Sequence, residues 1–202
     1  MATTTPNYGW PVPTSTDYVK DGATAIEALG DAIDATVFAL PSGGLTLINT
    51  TAFSGVATVT VSNVFTTTYD SYRIVLNGFT TATASPTRMR LTVAGTPTTS
   101  TTYYTAINSI TYAGVSSATG NSAFGEWFIG NGATDGRDLV FDIQRPALAT
   151  FKTLSILGSH SSGTIVGAAL STANTLHDGF RLFNDGGYNM SGTVRIYGYR
   201  NS

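Results

Sequence analysis

The chain has 202 residues, of which 11% are charged and 42% hydrophobic, and its formal net charge is -2. That length supports one substantial core, and the scarcity of charge leaves the surface to Thr, Ser, Asn and Gly. No Lys/Arg run supplies the footprint that nucleic acid requires, no apolar stretch is long enough to cross a bilayer as a helix, and the lack of cysteine excludes disulfides and thiolate metal sites.

Met1 to Trp10 has neither a positive n-region nor an apolar h-region, so the expectation is a protein without a signal peptide and without membrane insertion. The absence of cysteine suits synthesis in a reducing cytosol. A weakly charged surface does little to keep copies apart and tolerates close neighbours in an assembly.

Residues 1–20 read as an extended, Pro- and Thr-rich arm, because Pro6, Pro11 and Pro13 fix φ near the polyproline value and disfavour helix before them. Tyr8 and Trp10 project from it, and with Pro11 and Pro13 they make a candidate docking segment, since aromatics with a polar handle are frequent interface anchors. The alternative is that both rings fold back onto the chain's own domain.

Residues 21–40 read as an amphipathic helix. Ile26, Leu29, Ile33, Val37 and Leu40 fall along one face, Asp21 or the Thr24/Glu27 pair can cap the start, and Pro41 begins a Gly-containing linker over 41–44. Such a short helix containing Gly30 is marginal alone, so its stripe is a candidate oligomerisation or docking face. Lying on the β domain is the competing use of the same stripe.

From 45 to 202 the pattern is strand. Segments are predicted at Leu45–Ile48, Val56–Val61, Tyr72–Leu76, Arg88–Val93, Tyr103–Tyr112, Phe124–Ile129, Leu139–Ile143, Leu154–Leu157, Ile165–Leu170, Phe180–Phe183 and Val194–Tyr199. Asn77-Gly78, Asn131-Gly132, Asp135-Gly136 and Asp185-Gly186 supply turn chemistry between them. Short strands without helical crossovers predict a mainly β fold, an antiparallel sandwich of jelly-roll type, preceded by the arm and one short helix.

The residues offer little reactive chemistry. Glu126 and Asp142 form the least implausible acid pair, although glycan hydrolysis needs two carboxylates across one sugar and the other aspartates sit mostly in turns. His160 lies among serines without the strand-turn-helix setting of a nucleophile elbow. His160 and His177 lack metal-ligand spacing, and Thr134–Asp138 has too few acids for a calcium loop. No cofactor is called for. Carbohydrate recognition needs only an aromatic platform and a few amide or carboxylate side chains, and Asn184, Asp185 and Tyr188 have that composition, as do Tyr103 and Tyr104. A hairpin loop with a packing tyrosine is the blander reading of the same residues.

The segment from Tyr8-Gly9-Trp10-Pro11-Val12-Pro13 through Thr16-Asp17-Tyr18-Val19-Lys20-Asp21-Gly22 to Asp34 resembles the N-terminal region of minor structural and fibre proteins of tailed bacteriophages, and Ser191–Tyr199 is similar to the last strand of many phage fibre heads. The resemblance covers about a fifth of the chain. It implies a virion component assembled in the host cytoplasm, commonly a homotrimer. The implied partners are other virion proteins of the capsid, portal, tail or baseplate, with the β domain displayed; the alternative reading is a receptor-binding module whose β domain takes a host-surface glycan. The helix does not itself specify a trimer, because alternating Ile and Leu in the two seam positions favours two strands.

Overall fold

Alternation of side chains decides the architecture. Between Ser71 and Thr81, Tyr72, Ile74 and Leu76 are fully buried while Ser71, Arg73 and Val75 stay partly open, and in Arg137–Gln144 the residues Leu139, Phe141 and Ile143 face inward in the same way. Strands with one apolar face must cover it with a second sheet.

The computed structural model describes residues 3–14, 18–39 and 44–199, excluding the side chain of His160. Leu40 of the predicted helical stripe and residues 41–43 of the predicted linker lie outside that set. The chain divides into two compact units, Met1–Gly43 and Gly44–Ser202. The first holds strands β1 (Thr3–Thr4) and β2 (Pro11–Val12), a 3-10 turn (Val19–Asp21) and helix α1 (Gly22–Ala39). The second holds β3 (Leu45–Val56), β4 (Thr58–Val61), β5 (Ser71–Thr81), β6 (Pro86–Val93), β7 (Thr96–Pro97), β8 (Tyr103–Thr111), β9 (Ser116–Phe124), β10 (Trp127–Asn131), β11 (Arg137–Gln144), β12 (Lys152–His160), β13 (Gly163–Ser171), β14 (Gly179–Asn184) and β15 (Met190–Tyr199).

The larger sheet runs β3-β15-β5-β11-β12-β13-β8-β9, and the smaller runs β10-β6-β14-β4 with β7 beside β6. Setting aside β7–β9 and β12–β13, the remaining eight strands alternate between the sheets as first-eighth-third-sixth and second-seventh-fourth-fifth. That is the order of a jelly roll, two interlocked Greek keys. The hairpins β8–β9 and β12–β13 pair with each other through β8 and β13 and extend the larger sheet beyond β11.

One apolar core joins the sheets. Trp127 of β10 is fully buried, meets Tyr103 of β8 edge-on at 5.1 Å, and donates its indole N–H to the Leu170 carbonyl of β13 at 2.9 Å. Tyr103 in turn accepts the Leu91 amide of β6 at 3.1 Å. Each sheet thus satisfies a polar group on the other, and burial of the rings supplies the driving force.

Three predicted boundaries change. Asn77-Gly78 is not a turn but lies inside β5, where Gly78 takes φ +56 and the register to β11 slips between Arg137 and Leu139. It is a bulge, and the Asp138 carboxylate accepts the Gly78 amide there at 2.8 Å. The predicted Val56–Val61 strand breaks at Ala57, between the end of β3 in the larger sheet and the start of β4 in the smaller. The predicted Phe124–Ile129 segment is divided between the end of β9 and the start of β10, and the rest of β9 has no apolar period to announce it; backbone pairing to β8 holds it.

Two basic side chains are buried beside the connections. The Lys152 ammonium, wholly buried, donates to the carbonyls of Thr150, Ala173 and Thr175 at 2.6, 2.8 and 2.5 Å, and burial lowers its pKa to about 8. His177 is 2% exposed with neither ring nitrogen hydrogen-bonded, and burial first, then the Lys152 charge, lowers its pKa from 6.5 to about 4.

Two measurements follow from these contacts. Between pH 6.5 and about 4 the unfolded His177 binds a proton that the folded one refuses, so stability present at neutral pH is lost as pH falls through that window, by about 3 kcal/mol. Urea denaturation of the parent and of His177→Leu at both ends of the window should show a smaller pH dependence in the variant; equal dependences would remove His177 as the cause. Trp127→Phe strands the Leu170 carbonyl and should cost about 2 kcal/mol in the same assay, an expectation refuted by an unchanged midpoint.

Candidate functional site

In the first unit the two extended pieces of the arm pair with each other, Thr3 opposite Val12 and Thr4 opposite Pro11. Thr5 closes the hairpin, its amide donating to the Trp10 carbonyl at 2.9 Å and its hydroxyl accepting the Trp10 amide at 3.0 Å. Trp10 does not project free. Its indole N–H donates to the Thr36 hydroxyl of α1 at 2.9 Å, and that hydroxyl donates to the Ala32 carbonyl. Tyr8 stacks on Trp10 at 5.1 Å and remains 61% exposed. Of the prolines proposed for docking, Pro11 sits half-buried in the ladder and Pro13 is exposed.

The helical stripe is divided. Leu29 and Ile33 are half-covered, whereas Ile26 and Val37 stay open, as does the neighbouring Phe38. No described residue of this unit is buried. A helix of 18 residues held by one small hairpin lacks the apolar burial that usually stabilises helices in proteins.

The predicted sugar-binding loop is occupied with its own structure. Asn184 is buried, with its amide donating to the Ser85 carbonyl at 3.1 Å and its side-chain oxygen accepting the Gly186 amide. Asp185 takes both Nε and Nη2 of Arg88, at 2.9 and 2.7 Å. Tyr188 stays open, its ring packed over Gly186, and Asp185 is exposed as well although it is ion-paired. Tyr103 is a core residue. The acid pair is likewise separated. Glu126, just before β10, pairs with Arg90 at 2.7 Å, while Asp142 of β11 takes Arg73 at 2.8 Å and the Tyr199 hydroxyl at 2.8 Å. Hydrogen bonding from Arg73 holds the Asp142 carboxyl below its ordinary pKa.

A cleft that the sequence did not announce lies where the added hairpins meet the smaller sheet. Its volume is about 480 Å³; Ile107 and Ser109 of β8 and Ser117 and Thr119 of β9 form one wall, and Phe128, Gly130 and Asn131 of β10 with residues 132–135 form the other. Arg137, the first residue of β11, lines it and is 8% exposed. Its Nε has no hydrogen-bond partner, and among the described residues no carboxylate lies within ion-pair distance. Desolvation lowers its pKa, with the Asp135 charge acting in the opposite direction. Asp135, at the same cleft, accepts the Ser161 hydroxyl. The signal for Arg137 was present in the alternation: Leu139, Phe141 and Ile143 face the core, so an arginine two residues earlier shares their inward register.

No family model matches the sequence, and no curated protein matches it. Among solved structures, a human SPRY domain is similar over 77% of this chain and 97% of its own, at 9% identity and a TM-score of 0.35.

Proposed function

We propose that this chain is a non-enzymatic structural protein of a bacteriophage particle, a fibre or decoration protein that docks through Met1–Gly43 and displays the jelly roll. The observation that carries the reading is the contrast between the two units. The second owns a complete core. The first has no buried residue among those described and leaves Val19, Ile26, Val37 and Phe38 open to water. Apolar side chains gathered on a segment that cannot bury them alone mark an interaction surface. The phage-like sequence from Tyr8 to Asp34 falls within this unit, and the weakly charged surface suits close packing in an assembly.

Removing residues 1–43 should leave a β domain with an unchanged melting temperature that no longer joins particles during assembly, scored by immunoblotting purified virions. Incorporation at the parent level would refute the reading. A full-length chain carrying Ile26→Asp and Val37→Asp should lose incorporation by roughly tenfold or more, since each carboxylate would have to be desolvated in the interface; parent-level incorporation together with an unchanged light-scattering mass would remove the helix from the contact.

A further inference from the structure

We propose that the Arg137 cleft is a binding site for an acidic saccharide, a sugar carrying a carboxylate. The inference does not depend on where the protein sits or on how Met1–Gly43 attaches.

Arg137 occupies a place that an apolar residue would fill at least as well. Arg137 shares the inward face of β11 with Leu139, Phe141 and Ile143. A buried cation with no carboxylate partner is costly, and replacing it by an apolar side chain is often neutral or stabilising. Three arginines of this fold are treated differently: Arg73, Arg88 and Arg90 each hold a carboxylate and lie over an aromatic ring. Arg137 has neither of these partners among the described residues.

The backbone at 130 packs closely against it. Gly130, at φ +117, lies against the guanidinium, and a Cβ there would come within 2.6 Å of Ile165 Cδ1 and 3.1 Å of Arg137 Nη1. Any side chain at 130 would crowd this end of the cleft.

The lining selects the ligand. A planar guanidinium matches a carboxylate through paired hydrogen bonds. Ser109, Ser117 and Thr119 offer hydroxyls, while Ile107 and Phe128 offer apolar surface, a mixture that fits the polar edge and apolar face of a pyranose. Asp135 grades the ligand's charge. Its carboxylate repels any anion near Arg137, a doubly charged phosphate about twice as strongly as a singly charged carboxylate, and it already accepts a hydroxyl, from Ser161. A neutral sugar would leave the cation unpaired.

The experiment is amide NMR of the intact chain titrated with glucuronate, galacturonate and N-acetylneuraminate at millimolar concentration, beside their methyl esters and inorganic phosphate. At least one of the acids should move the amides of Gly130, Asn131 and Gly132, and its methyl ester should bind roughly tenfold more weakly or worse. Arg137→Met should abolish the shifts while leaving the melting temperature equal or higher, and Arg137→Lys should weaken them. Ser117→Phe, which obstructs the wall and leaves Arg137 in the sequence, should also abolish them and serves if Arg137→Met fails to fold. The proposal is overturned if none of the three acids moves those amides, if esters and acids bind alike, if phosphate competes as an equal, or if the shifts survive both Arg137→Met and Ser117→Phe.

Discussion

The β domain depends on its last two strands closing both sheets. β15 lies between β3 and β5, and β14 lies between β4 and β6. Phe180, Leu182, Val194 and Ile196 from these strands are fully buried. Until they arrive, β3 has no neighbour in its sheet and β4 none in its own, so the core forms from contacts far apart in sequence. Topologies of that kind fold slowly, because loop-closure entropy is spent before apolar burial compensates it.

Once the roll is closed, β11 becomes the hinge between stability and recognition. Along one edge it pairs with β5 of the jelly roll, and along the other with β12 of the added hairpins. Its inner face passes from Ile143, Phe141 and Leu139 in the core to Arg137 at the cleft. The same register that packs the core therefore orients the guanidinium, and the Gly78 bulge in β5 sits at the point where the pairing to β11 slips. The Trp127–Tyr103 contact holds the hairpins on the sandwich, so the cleft wall formed by β8 is braced by the core. A cation of this kind costs stability, and a large core is what makes that cost tolerable.

The two units differ in the physical basis of their order. Gly44–Ser202 buries large aromatic and aliphatic side chains from both sheets. Met1–Gly43 relies on a short ladder, the Trp10–Thr36 hydrogen bond and a half-covered helix, which together give far less apolar burial. Such an element gains stability from any partner that binds its folded form, and this contrast supports the proposal that one unit attaches and the other is displayed.

Local chemistry determined much of this protein. Period-two alternation and turn residues marked most strands and the sandwich class, and the apolar spacing with Pro41 marked the helix, because both signals act over a few residues. Other features were decided only by the tertiary structure. The arm's prolines read as a free extended segment, yet Thr5 and Thr36 hold Trp10 inside a hairpin on the helix. Asn77-Gly78 has turn chemistry but became a bulge, since pairing on both sides kept β5 continuous. Strand β9 carries no apolar period and exists through backbone pairing to β8. Asn184 and Asp185 looked available for a ligand until Ser85 and Arg88, far away in sequence, took their hydrogen bonds. The inward register of Arg137 was written in the alternation of β11, but its isolation was not: whether a buried charge finds a partner depends on side chains brought together from distant strands, and that is settled only when the sheets close.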